Sequence, residues 1–325
     1  MHQLSDYDYT LPKELIAQEP LKNRTDARLL IVGETLEHKH IYDLPQLLHK
    51  DDVLVLNDSK VIPARLMGKK ETGGRIEVLL IKKQQEHTWT CFVKGKITKP
   101  TKVVFKNGYG IITPGETASI TLFNVSLHEI GVMPTPPYIK KQLQEPERYN
   151  TVFAQEEGSI AAPTAGLHFT PDLIEKIKQK GVTICFVTLH VGAGTFLPVK
   201  TEDIRQHHMH EEYYSISPKT ANVINTRKGR LVIVGTTTLR ALESATTIDG
   251  IVHAKTSSTN IFIHPPYTFN IRFDALLTNF HLPKSTLLML VSAIVGRERL
   301  LEVYKQAIQE QYRFFSFGDA LFVYR

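Results

Sequence analysis

Five segments of the chain combine histidine, threonine, glycine and charged side chains at spacings that suit ligand chemistry. In residues 159–170, small side chains surround Thr164, Gly166 and His168 just before a predicted helix. Small residues let a ligand approach the backbone, and the first turn of a helix offers free N–H groups to an anion. The same pattern also suits a plain capped helix after a tight loop. In residues 188–196, His190 and the turn Gly192-Ala193-Gly194-Thr195 close an apolar stretch that reads as a buried strand. Ligands bind at the carboxyl ends of strands in α/β sheets. A Gly-x-Gly with neither a third glycine nor a following helix is a weak nucleotide signal, however, and His190 equally suits a satisfied core position.

In residues 207–212, His207 and Glu211 share a face if the segment is helical, and His208 and His210 if it is extended. No His-Glu-x-x-His pattern or fourth ligand accompanies them, so a solvated or RNA-facing patch is expected rather than a metal site. In residues 234–244 a strand feeds Gly235-Thr236-Thr237-Thr238 and then a helix. The turn's N–H groups suit a carboxylate or phosphate. Arg240 and Glu243, three residues apart, are placed to pair. The triphosphate-loop pattern Gly-x4-Gly-Lys-Ser/Thr is absent. In residues 277–291 the polar Asn279, His281, Lys284 and Ser285 crowd the start of an apolar helix, with Pro283 expected near its first turn.

These residues need elements to hold them. Residues 28–32, 53–57, 183–191 and 231–234 read as strands, the last three as buried ones. Residues 11–16 read as a short helix. Residues 171–180 read as a longer one, with Thr170 as N-cap and Gly181 past its end. Residues 65–150 differ in character. Short apolar stretches alternate with turn signals at Asn107-Gly108 and Pro114-Gly115, which suggests a small barrel or sandwich. The expected architecture is therefore an α/β main domain, residues 1–64 and 151–325, carrying an inserted β-barrel-like domain over 65–150.

The chain's 325 residues fit about two domains at ~150 residues each. With 42% hydrophobic and 22% charged residues, wholesale disorder is excluded. The longest apolar run, residues 287–295, is far below the ~18–20 residues of a membrane span. The opening residues carry early acids and no apolar segment, so no secretory leader is expected. Cys91 and Cys185 form no metal spacing and read as reduced, packed thiols of a cytosolic protein. The net charge of +6 favours an anionic partner. Lys94, Lys96, Lys99, Lys102 and Lys106 cluster in the β-rich stretch, where they suit phosphates or guard a strand edge.

Taken together, the five segments resemble the S-adenosylmethionine:tRNA ribosyltransferase-isomerases of queuosine biosynthesis. The resemblance runs nearly end to end. It also takes in Asp6-Tyr7-Asp8, residues 11–18, Arg28-Leu29-Leu30, Leu56-Asn57-Asp58, residues 61–66 and residues 312–320. Lys60, Gln155 and Pro266 depart from the family pattern. The resemblance implies an α/β domain with an inserted barrel. It also implies transfer and isomerisation of the ribosyl moiety of S-adenosylmethionine onto 7-aminomethyl-7-deazaguanine at the tRNA wobble position. The implied products are epoxyqueuosine-tRNA, adenine and methionine. S-adenosylmethionine is then a co-substrate, with no prosthetic group and no metal, and the partner is a tRNA anticodon loop in the cytoplasm.

Such a reaction needs a base to free the substrate amine and to remove an acidified C5′ proton, and an acid to help adenine leave. His168 and His190 are the expected pair. Thr164, Gly166, Gly192, Gly194, Thr195, Thr236, Thr237, Asn279 and His281 are expected at the substrate, with Arg240 on the methionine carboxylate and Glu243 or Glu212 on its ammonium. A methyltransferase would instead show a glycine-rich turn after its first strand, and a plain RNA-binding module would lack buried His-Gly-Thr turns.

Overall fold

The computed structural model describes residues 2–141, 143–192, 194 and 198–325. Its frame is a nine-stranded mixed sheet. In spatial order the strands are Lys255–Thr259, Glu212–Ile216, Thr183–Leu189, Val53–Asn57, Leu231–Val234, Ala275–Asn279, Ala320–Tyr324, Arg28–Val32 and Leu36–His40. The four strands from Thr183–Leu189 to Ala275–Asn279 are mutually parallel. Val53–Asn57 and Leu231–Val234 are buried at every position. Strands covered on both faces read as continuous apolar runs, which is why these two were visible in the sequence.

One face of the sheet is covered by the helices Thr236–Ser244 and Thr286–Val295, whose Leu239, Leu242, Leu288 and Val291 join a core with Val55, Ile233 and Leu276. The other face packs on the helix Pro171–Gln179 through Leu173 and Ile177. Thr170 caps that helix, its hydroxyl oxygen accepting from the Leu173 N–H at 3.2 Å. Residues 11–16 form only a 3₁₀ turn, Lys13–Leu15. The apolar helix begins at Thr286 with Ser285 as its cap, so Pro283 lies in the turn before it rather than in its first turn.

The second body is a closed six-stranded barrel. Its strands are Arg65–Lys70, Arg75–Gln85, Thr88–Lys94, Ala118–Phe123, Tyr109–Thr113 and Thr101–Val104, and pairing of the first with the last closes it. Alternate residues, among them Leu66, Val78, Leu80, Trp89, Cys91, Ile112 and Ile120, fill its interior. Closure removes the unpaired edges that a sheet would otherwise present. Both cysteines are free and buried, and burial pushes each thiol up to about 12. No helix among the described residues is long and apolar enough to cross a membrane.

Candidate active site

The carboxyl ends of the parallel strands open onto a cavity of about 590 Å³. Leu231–Val234 delivers Gly235, Thr236 and Thr237 to its wall, Ala275–Asn279 delivers Thr278, Asn279 and His281, and Thr164, Arg240, Lys284 and Ser285 add to the polar lining. Buried Asn57 ties the strand ends together. Its amide donates to the Leu189 carbonyl (3.0 Å) and the Thr237 hydroxyl (3.3 Å), and its oxygen accepts from the N–H groups of Ser59 and Leu189.

The electrostatics centre on Arg240. It is 4% exposed and pairs with Glu212, which is similarly buried. The second Glu212 oxygen accepts from the Gly192 N–H at 2.9 Å. Arg240 Nη2 is buried without a hydrogen-bond partner. A buried donor of this kind leaves a demand for an acceptor, met by water or ligand. Beside it the helix Thr236–Ser244 starts from Gly235, which has no side chain to cap it. One wall thus presents a guanidinium donor and a positive helix end, the combination that holds a carboxylate.

Arg240 and Glu243 do not pair, contrary to their spacing. Arg240 turns to Glu212 on the neighbouring strand. The Glu243 carboxylate accepts from the Tyr267 hydroxyl and the N–H groups of Asn270 and Ile271, each at 3.0 Å. Glu243 therefore secures the 267–271 loop away from the cavity lining.

The structure separates the three histidines. His281 lines the cavity with Nε2 3.0 Å from the Thr278 hydroxyl, and burial drives its pKa down to about 3. His168 is outside the lining. It ends the 3₁₀ segment Thr164–His168 behind Asn279, with Nε2 3.1 Å from Asn279 Nδ2. Burial first, then the positive charge of Arg24 and Arg313, lowers its pKa to about 4. His190 also lies outside the lining, with its ring stacked on Tyr213 at 5.7 Å and its pKa lowered by burial against the opposing pull of Glu156. His168 and His190 are thus not brought together on the cavity.

Gly166 is needed for packing, because a Cβ there would come within 2.9 Å of Phe153 and Thr151. Gly194 lies under the His210 ring. Thr195 lies outside the described residues. The segment 207–211 is not helical, and Glu212 opens a strand. Among the described residues, no three His, Cys, Asp or Glu side chains come together as a metal-binding group.

Sequence reasoning missed Tyr138, Tyr149 and Ser316, which also line the cavity. The Tyr138 hydroxyl is 2.6 Å from Ser316 Oγ. Ser316 lay inside the motif at residues 312–320, whereas nothing in the local pattern marked the two tyrosines.

A profile of the family described as "Queuosine biosynthesis protein" matches residues 4–323. The chain belongs to this family. Within it, the S-adenosylmethionine:tRNA ribosyltransferase-isomerase of Desulforamulus reducens is 50% identical over 340 residues, covering 99% of each chain. The enzyme of the same name from Clostridioides difficile is also 50% identical, covering 98% of each. A crystal structure described as S-adenosylmethionine tRNA ribosyltransferase from Thermotoga maritima superposes with a TM-score of 0.56 at 37% identity, covering 98% of this chain and all of that one. The α/β body with its barrel is thus the fold this queuosine-biosynthesis family shares with a solved member.

Proposed function

We propose that this chain is a transferase that moves and isomerises the ribosyl moiety of S-adenosylmethionine onto 7-aminomethyl-7-deazaguanine at the wobble position of tRNA. Epoxyqueuosine-tRNA, adenine and methionine are the products. Family membership supports the reaction. The observation that supports its location is the unpartnered Arg240 Nη2 on a cavity that also receives an uncapped helix start.

In this reading the methionine carboxylate of the donor meets Arg240 and the first N–H groups of the helix Thr236–Ser244. Glu212, already committed to Arg240 and Gly192, orients the guanidinium rather than binding the ammonium. The hydroxyls of Thr164 and Thr237 serve the ribose. The sulfonium acidifies the C5′ protons, and loss of one opens the ribose and expels adenine. His281, a neutral imidazole on the cavity wall, is placed to hydrogen-bond the donor, because a pKa of about 3 makes it too weak a base to take up that proton.

The wobble base must leave the anticodon stack to reach a cavity of this kind. The exposed lysines of the barrel supply phosphate contacts, and a tRNA substrate supports a cytoplasmic setting. Incubating the protein with S-adenosylmethionine and tRNA carrying the aminomethyl base tests the proposal. Free adenine and a ribosylated tRNA support it. S-adenosylhomocysteine with a methylated tRNA would replace it with a methyltransferase.

A further inference from the structure

Asn279 ends the strand Ala275–Asn279, is 2% exposed and lines the cavity. Its Nδ2 donates to the Phe315 carbonyl at 3.3 Å. A carbonyl can only accept, so the carboxamide nitrogen must face Phe315. Phe315 itself has φ 71°, a left-handed conformation uncommon for a bulky residue, and such outliers persist where surrounding structure enforces them. The nitrogen's other hydrogen points to His168 Nε2 at 3.1 Å, which must then be the accepting atom of a neutral ring protonated on Nδ1. With both amide hydrogens engaged, Oδ1 is left buried and unpartnered.

We propose that His168 is a positioning residue. It locks the Asn279 carboxamide with its oxygen free to accept a hydrogen bond from an N–H donor on the bound S-adenosylmethionine. This rests on the reaction proposed above. Two groups of the donor share that chemistry, the exocyclic amine of adenine and the α-ammonium of methionine. The substitution His168→Gln retains an acceptor oxygen, whereas His168→Phe removes it.

The test is steady-state kinetics of both variants with S-adenosylmethionine, a 6-deaminopurine analogue and an α-deamino analogue. His168→Gln is expected to stay within about threefold of wild type in kcat and KM. His168→Phe is expected to raise the KM for S-adenosylmethionine by about ten- to a hundredfold, with the pH limbs of kcat in place. It is also expected to stop discriminating against one of the two analogues, which identifies the amine that Asn279 meets.

Loss of kcat and of one pH limb in both variants would overturn the proposal in favour of acid–base catalysis by His168. Unchanged KM and unchanged discrimination in His168→Phe would also overturn it. If His168→Phe does not fold, nitrogen NMR of histidine-labelled wild-type protein decides. A neutral Nδ1-protonated ring supports the proposal, and an Nε2-protonated or charged ring at pH 7 refutes it. Turnover by the wild-type protein tests the underlying reaction separately.

Discussion

Replacing Arg240 with Met separates the two jobs this residue is given. Its side chain is 5% exposed and that of Glu212 is 4%, so the substitution takes the guanidinium away from a carboxylate held in the protein interior. Removing one member of a buried pair costs about 3–5 kcal/mol. Glu212 keeps the Gly192 N–H, which places the expected loss toward the lower end, ~3 kcal/mol. Adding Glu212→Gln removes the buried charge and keeps an acceptor for Gly192. The double variant is therefore expected to recover about 2 kcal/mol of that loss.

Binding behaves differently. Arg240 Nη2 is absent from both proteins, and a hydrogen bond to a charged group contributes about 1.5–3 kcal/mol. S-adenosylmethionine should therefore bind roughly ten- to a hundredfold more weakly in both, since ~1.4 kcal/mol is tenfold. Urea unfolding reads the first effect and titration calorimetry the second. A single variant losing under ~1 kcal/mol, or a double variant that binds the donor like wild type, would refute the reasoning.

Other consequences are accessible to simpler assays. His168 and His281 have pKa values of about 4 and about 3 in the folded protein, against an ordinary value of 6.5. Between those limits the unfolded chain binds more protons, so stability falls as pH drops below 6.5. The loss from His168 alone reaches on the order of 3 kcal/mol by pH 4. Urea midpoints from pH 7 to 4.5 should show this slope, reduced in His168→Gln, and equal slopes in the two proteins would contradict it. Thr170→Ala removes the cap hydrogen bond to Leu173 and should cost about 1 kcal/mol in thermal or urea unfolding. Changing Lys94, Lys96 and Lys99 to Glu should weaken tRNA binding and flatten its salt dependence, by about one slope unit for each phosphate that is no longer neutralised. An unchanged slope would leave these lysines as solvated surface charges, since the closed barrel has no edge there to guard.

The legible parts of the fold were those that one local pattern decides. Residues 53–56 and 231–234 are apolar throughout because the sheet covers both their faces, and Thr170 marks a helix start by its own hydroxyl. The barrel showed itself as short apolar stretches between turn signals, although its closure between Arg65–Lys70 and Thr101–Val104 is a long-range pairing no local pattern encodes.

The site was legible as a set of segments but not as a geometry. Spacing along one helix suggested Arg240 with Glu243, whereas the tertiary fold supplied Glu212 from a strand 28 residues away. His168 and His190 sit in motif-rich turns, yet the backbone turns His281 toward the cavity and leaves His168 behind Asn279. Tyr138 and Tyr149 reach the cavity from a stretch that read only as part of the insertion, because their role depends on which chain segment they face.

Ribosyl transfer in the cavity lined by Arg240, Asn279 and His281 is tested most directly by product analysis of a single turnover with S-adenosylmethionine and tRNA bearing the aminomethyl base. The expected result is one adenine and one methionine released per ribosylated tRNA, with release abolished or slowed by more than about tenfold in Arg240→Met. Turnover that yields S-adenosylhomocysteine, or adenine release unaffected by Arg240→Met, would contradict it.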